Sequence, residues 1–262
     1  MHIISSKDNE QVKHIKKLKE KKYRILNKEY VIEGFKLIKE AIAEKVNIKT
    51  IVICDGCDME SNFDQKLLYE IAKSNCITVS EKIFKDLSEV DTPQGIMAVV
   101  DRSNNSTDID YTQDMLVVLD NIQDPGNLGT ILRTVDSIGL SQIIVSKGTV
   151  DAYSSKVVRS SMGAIFRVNV IESENLEDII KEMKKHKFSV IATSLEAEES
   201  IYDIDFRKKA IIIGNEANGV EKEVLEKADL LVKIPMLGRT ESLNASVATG
   251  VILYEYVRQK LS

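Results

Sequence analysis

The sequence predicts an α/β protein in two parts, a carboxy-terminal parallel-sheet domain preceded by a smaller α/β unit. Three observations carry that reading. Short β-branched runs alternate with helical spacings along the second half, the mark of buried parallel strands covered by helices on both faces. A polar run over 101–113, DRSNNSTDIDYTQ, buries little and separates 1–100 from 114–262. At 262 residues with 43% hydrophobic and 29% charged side chains, the chain is long enough for such a pair of cores and ordinary in composition.

In the first half, Val12, Ile15, Leu18 and Ile25 form an apolar stripe among lysines and predict two helices. Tyr30-Val31-Ile32 reads as a strand turning at Gly34, and 35–42 has helical spacing. Strands follow at 50–54 and 76–79 around a helix near 64–74, and Gln94–Val100 closes the unit as a strand. In the second half, strands are expected at 115–119, 142–145, 188–193, 210–213 and 230–234. Helices fall near 126–138, 154–162, 175–186, 221–227 and 242–260.

Composition narrows the function classes. No apolar run reaches the roughly 20 residues that span a bilayer, and the amino terminus lacks the pattern of a secretory signal. A cytoplasmic protein is expected. Cys54, Cys57 and Cys76 are an odd number of cysteines, and His2, His14 and His186 are scattered. Cys54-Asp55-Gly56-Cys57 has the spacing of half a zinc site or a redox pair, but with no second ligand pair it reads as a strand end and a turn, and no metal is expected. Charge is uneven. Residues 11–28 hold seven Lys and one Arg against the single acid Glu20, a local +7 on a chain of −5, leaving −12 elsewhere. Such a field recruits a phosphate backbone; charge alone leaves a solvated helix face equally open.

The unusual residues sit in three loops that follow predicted strands, where ligands gather on parallel sheets. The first, Leu119–Arg133, passes through Asn121 to Asp124-Pro125, an acid and a proline suited to start a helix. The second, Gly214-Asn215-Glu216-Ala217-Asn218-Gly219, places one carboxylate directly after an apolar strand, a costly position unless the acid is paired or bound. The third runs Ile234-Pro235-Met236-Leu237-Gly238-Arg239-Thr240-Glu241-Ser242-Leu243-Asn244 into a helix that Ser242 or Asn244 can cap. Neither G-x-G-x-x-G after a strand nor a P-loop is present.

The N…D-P-x-N-x-G…R pattern, the G-x-E-x-x-G turn and the I-P-M-x-G…S-L-N-x-S-x-A run, in that order, resemble the motifs of the SpoU (TrmH-like) RNA ribose 2′-O-methyltransferases of the SPOUT superfamily. The resemblance covers about 114–260, with Ala217-Asn218 standing where a Gly is common; Ser155–Ala164 adds a further matching segment. Residues 1–100 look like the family's ribosomal-protein-like substrate-binding domain and 114–262 like the methyltransferase domain, with the polar run 101–113 as the linker between them.

The resemblance implies a trefoil knot, a homodimer whose active sites draw on both subunits, and S-adenosylmethionine bound within the knot. Cofactor contacts are then expected from Thr193, Ser194, Leu195, Gly214, Ile234, Met236 and Leu243. Arg133 takes the place of the family's essential arginine, described at times as a base; a guanidinium holds its proton in proteins, so a clamp on phosphate and on developing alkoxide charge is the expected role. Asn121 and Glu216 are expected to orient Arg133 and the knot loops, with Ser242 and Asn244 near the target ribose. RNA contacts are expected from Lys16, Lys17, Lys21, Lys22 and Arg24 in the basic segment, and from Lys156, Arg159 and Arg239 beside the site. A 2′-hydroxyl target separates RNA from DNA. Ribosomal RNA of the large subunit is the expected substrate, with transfer RNA, base methylation and a non-catalytic RNA-binding scaffold as the competing readings.

Overall fold

The computed structural model describes residues 3–102 and 105–262. His2, and Ser103 and Asn104 of the expected linker, lie outside the described residues. The chain forms two compact units, Met1–Asn105 with Tyr153–Phe166, and Ser106–Ala152 with Arg167–Ser262.

The first unit opens with β1 (Ile3–Ile4), α1 (Glu10–Lys17), α2 (Lys21–Asn27), β2 (Glu29–Glu33) and α3 (Phe35–Ala43). It continues through β3 (Ile48–Cys54), α4 (Gln65–Lys73), β4 (Cys76–Val79), α5 (Glu81–Leu87) and β5 (Ile96–Asp101). The sheet order is β1-β4-β3-β5-β2; β1, β4 and β3 run parallel, and β5 is antiparallel to both β3 and β2. Asn9 caps α1 by accepting from the Gln11 and Val12 amides. Val12, Ile15 and Leu18 pack against Ile83, Phe84 and Leu87 of α5 and Val52, Val79 and Met97 of the sheet. Ile25 departs from the expected stripe. It is 49% exposed, because Lys28 in a left-handed conformation ends α2 and Arg24, not Ile25, is the α2 side chain turned inward. Cys54–Cys57 is the turn expected, closed by the Cys57 amide on the Cys54 carbonyl at 3.0 Å with Gly56 at φ +78°.

The second unit contains β6 (Met115–Leu119), α6 (Pro125–Ser137) and β7 (Gln142–Ser146) before the chain leaves for α7 (Ser155–Ser161) and a 3-10 turn, Ala164–Phe166. It resumes with β8 (Asn169–Ser173), α8 (Leu176–Lys185), β9 (Ser189–Thr193), β10 (Glu199–Ser200), β11 (Lys209–Ile213), α9 (Lys222–Leu225), β12 (Leu230–Lys233) and α10 (Ala245–Leu261). Its seven strands are all parallel, in the order β10-β12-β9-β11-β6-β7-β8. The inner strands are buried on both faces, which is why they read as unbroken apolar runs rather than as alternating ones.

Two boundaries differ from the sequence division. Ser106–Gln113 of the expected linker belongs to the second unit: Ile109 and Tyr111 pack on its core, Tyr111 stacks on His186 at 3.8 Å, and the Asp110 amide donates to Gln142 Oε1. Tyr153–Phe166, although surrounded in sequence by the second unit, belongs to the first. There the Tyr153 ring lies 5.0 Å from that of Tyr30 and under the Arg102 guanidinium at 4.1 Å, and α7 packs on β2. Lys156 and Arg159 are therefore residues of the first unit.

Candidate active site

The register of β11 on β6 pairs Ile213 with Leu119, so the two strands end level and their loops emerge side by side. At the end of β6, Asn121 adopts φ +58°, a left-handed conformation that Asn tolerates better than most residues. Its amide donates to Ser146 Oγ at 2.8 Å and its carbonyl accepts from Asn215 Nδ2 at 2.8 Å. Gly148 lies against it so closely that a Cβ there would come 2.4 Å from Asn121 Oδ1. Next to it, Asp120 is buried and accepts the Glu221 amide at 2.9 Å. That carboxylate raises the pKa of the Glu221 side chain by repulsion, with a further push from burial.

Asp124 caps α6 by accepting the Asn127 amide at 2.9 Å, with Pro125 in the first turn, as its sequence suggests. Asn127 then joins all three loops. Its Nδ2 donates to Glu216 Oε1 at 2.6 Å, and its Oδ1 accepts from Asn244 Nδ2 at 2.9 Å. Asn244 in turn caps α10, accepting from the Ser246 amide and hydroxyl at 2.9 and 2.7 Å. The costly carboxylate of the second loop is thus exposed to solvent and partnered at the same time.

The second loop folds back on itself. Asn215 and Gly219 exchange backbone hydrogen bonds at 2.9 Å, and Asn215 Oδ1 accepts from the amides of Ala217 and Asn218. Gly214 has no alternative residue here, since a Cβ would stand 2.1 Å from the Gly219 carbonyl carbon and the Val220 nitrogen. The requirement comes from the chain crossing itself.

A cavity of about 480 Å³ opens beyond the ends of β9, β11 and β12. All seven residues expected to hold a cofactor line it, namely Thr193, Ser194, Leu195, Gly214, Ile234, Met236 and Leu243. Glu216 and Ser242 line it too, together with Glu196, Lys233 and Glu241, which sequence reasoning did not single out. Its size falls in the usual range for small-molecule sites, and its walls combine apolar side chains with loop backbone. An adenosine carrying a short polar tail fits such a slot.

Other expected roles are redistributed. Arg133 is exposed on α6, and among the described residues neither Asn121 nor Glu216 bonds to it; Glu216 is turned to Asn127 instead. Arg24 is corrected from RNA contact to structural pin: it is 7% exposed and its Nη1 donates to the Leu18 and Lys19 carbonyls, both at 2.7 Å, closing the end of α1. Lys16 is drawn to Asp86 at 2.7 Å, and Arg159 donates to Ser155 Oγ at 3.1 Å. Lys17, Lys21, Lys22, Lys156 and Arg239 remain on the surface. Asn127 is the residue the sequence reading passed over; the available signal was a polar side chain three positions after Asp124, inside the first turn of a helix whose neighbours Leu128 and Ile131 are core. Among the described residues no group of three or more His, Cys, Asp or Glu side chains is placed to hold a metal ion.

A seven-stranded parallel sheet with a slot at the carboxyl ends of its strands, walled by loops and floored by a helix start, defines an α/β protein with a small-molecule site. Residues 114–254 match the SpoU rRNA methylase family and residues 9–98 an MRM3-like substrate-binding domain. The chain belongs to the SpoU rRNA methylase family. It is 34% identical over 255 residues to a 23S rRNA (guanosine(2553)-2′-O)-methyltransferase, RlmP of Bacillus subtilis, covering 97% of this chain and 98% of that protein. Against the 23S rRNA (guanosine-2′-O-)-methyltransferase RlmB of Xylella fastidiosa it is 41% identical over 149 residues, 56% of this chain and 60% of the relative. The crystal structure of an AdoMet-bound rRNA methyltransferase from Sinorhizobium meliloti superposes with a TM-score of 0.86 at 32% identity, covering 100% of this chain and 99% of that one.

Proposed function

We propose that the protein transfers a methyl group from S-adenosylmethionine to a ribose 2′-hydroxyl of large-subunit ribosomal RNA. The observation that carries this is the cavity at the ends of β9, β11 and β12, whose walls include the seven cofactor positions that the family resemblance implies and whose lining also includes Glu216 and Ser242. When bound there, S-adenosylmethionine supplies a methyl group already activated on its sulfonium. The protein's part is to hold the ribose oxygen in line with that methyl and to favour negative charge on the oxygen. Ile234, Met236 and Leu243 give the apolar slot for the base of the cofactor, while Thr193, Ser194 and Gly214 offer polar and backbone groups. Asn127, Glu216 and Asn244 hold the rim loops in one arrangement.

Arg133 supplies the positive charge for the reacting phosphate and alkoxide. Among the described residues it has no hydrogen-bond or ion-pair partner, which supports a homodimer in which it serves the partner's pocket. The exposure of Val247 and Tyr254 on α10, 51% and 55%, supports such pairing as well. A trefoil knot around the pocket and action in the cytoplasm complete the reading; no helix among the described residues is long and apolar enough to cross a membrane. Guanosine is the first nucleoside to assay, since both relatives above are named for it.

Calorimetric titration with S-adenosylmethionine tests the site. Wild-type protein is expected to bind, and Met236→Trp and Leu243→Trp, which fill the slot, are expected to lose binding while remaining folded. Unchanged binding in both variants would place the cofactor elsewhere.

A further inference from the structure

The basic segment is sorted by the fold into cations that hold the protein together and cations that do not. Lys13 pairs with Asp8 at 2.8 Å. Lys16 pairs with Asp86, and Lys19 Nζ donates to the carbonyls of Asp86 and Ser88 at 2.9 and 3.1 Å. Arg24 is buried on the Leu18 and Lys19 carbonyls. Lys17, Lys21, Lys22 and Lys28 remain outward, and among the described residues Lys22 alone of these four has an acid in ion-pair range, the exposed Glu20 at 3.3 Å.

Two of these cations lie over one ring. Lys22 Nζ lies 4.7 Å and Lys17 Nζ 5.6 Å from the centroid of the half-buried Tyr23. Beside it, α2 turns two large apolar side chains into solvent, Ile25 at 49% and Leu26 at 76% exposed. A solvated structural helix has no use for that face, and a protein partner core would avoid three ammonium groups. Phosphates suit the ammonium groups, and a base lifted out of its stack suits the ring and the aliphatic surface.

We propose that the corner formed by α1 and α2 is a docking surface for unstacked, single-stranded RNA, with Tyr23 as the ring on which a base stacks and Lys17, Lys21 and Lys22 as its phosphate contacts. Ile25 and Leu26 cover the next base or sugar. This rests on the reading of the chain as an enzyme of ribosomal RNA and names the part of the first unit that grips it. A duplex offers no open base face, so loops and junctions of the RNA are what this surface selects.

The test is binding of unmodified large-subunit ribosomal RNA, transcribed in vitro, to full-length protein, with a short oligouridine and a blunt RNA duplex of equal length as competitors. Tyr23→Ala should weaken RNA binding about tenfold, while Tyr23→Phe, which keeps a stacking face, should bind as wild type. Lys21→Glu with Lys22→Glu, which leaves the core untouched, should weaken binding and flatten its dependence on salt. Melting temperature and S-adenosylmethionine affinity should stay at wild-type values in all three. If wild type binds and methylates the transcript and both Tyr23→Ala and the lysine pair bind equally well, the surface is not where RNA docks. Equal competition by duplex and oligouridine would overturn the stacking role. A wild type that neither binds nor methylates the transcript would instead overturn the reading of the enzyme on which the surface depends.

Discussion

Asn127 donates to the Glu216 carboxylate at 2.6 Å across 89 residues of sequence, and the same side chain amide accepts from Asn244 at 2.9 Å. One partly polar helix start thereby fixes the loops after β11 and before α10, two of the loops that wall the cavity. Asn127 is 8% exposed, so neither hydrogen bond is readily replaced by water.

Asn127→Ala should therefore lower kcat at least tenfold and cost about 1–2 kcal/mol of stability, the usual scale for breaking partly buried hydrogen bonds. Steady-state kinetics with saturating RNA and a denaturant titration check the two effects separately. An unchanged kcat would show that the rim holds its shape without this joint.

Arg133→Lys should retain measurable turnover and Arg133→Ala should not. The exposed guanidinium is expected to act through charge and hydrogen bonding, which an ammonium supplies in part. The check is single-turnover methyl transfer with RNA affinity measured alongside. Complete loss in Arg133→Lys with RNA affinity intact would mean that the planar, two-pronged geometry is what the reaction needs.

Gly214→Ala places a methyl group 2.1 Å from backbone that cannot retreat without breaking the Asn215 and Gly219 pairing. The loss should be about 1–3 kcal/mol or more, as for overpacking elsewhere. Cofactor affinity should fall with it, because the same loop lines the cavity. Thermal melting with and without S-adenosylmethionine reads both.

Arg24→Met should destabilise the first unit by about 1–3 kcal/mol, by leaving the Leu18 and Lys19 carbonyls without their donor. The salt dependence of RNA binding should not change, in contrast to the exposed lysines. A loss of RNA affinity at full stability would return Arg24 to the RNA-binding face.

Asp86 of α5 pairs with Lys7 and Lys16 near the start of the chain, and the hydrogen bond from Lys16 holds its carboxyl below the ordinary value of 3.8. Its folded pKa is lowered, so its contribution to stability is present above the unfolded pKa and is lost as pH falls through the folded one. Asp86→Asn should remove part of the acid sensitivity of unfolding below pH 3.8. All three side chains are partly exposed, so the effect is of the order of a surface pair, about 0.2–1 kcal/mol. Parallel acid titrations of wild type and variant measure it.

Much of this was legible in the sequence, and the exceptions have physical causes. The inner strands declare themselves as apolar runs because both faces are covered, and Asp124-Pro125 declares the start of α6 because capping chemistry is local. β8 went unseen: Asn169–Ser173 lies at the edge of the sheet with one neighbour, β7, and carries the exposed Glu172. α5 was missed as well, since Glu81–Leu87 is only seven residues of mixed polarity. The cofactor positions were found through motif resemblance, and periodicity alone would not have brought 193–195 next to 214 and 234. What no local pattern shows is which lysine is already taken. Lys16 and Arg24 look like Lys17 and Lys22 in the chain, and only the tertiary placement of Asp86 and of the Leu18 carbonyl separates them.

The most direct test of the central claim is incubation of purified protein with methyl-labelled S-adenosylmethionine and unmodified ribosomal and transfer RNA, followed by nucleoside analysis of each fraction. The account predicts label in one 2′-O-methylnucleoside of large-subunit ribosomal RNA. Label in a base-methylated nucleoside, or cofactor binding with no transfer to either RNA, would contradict it.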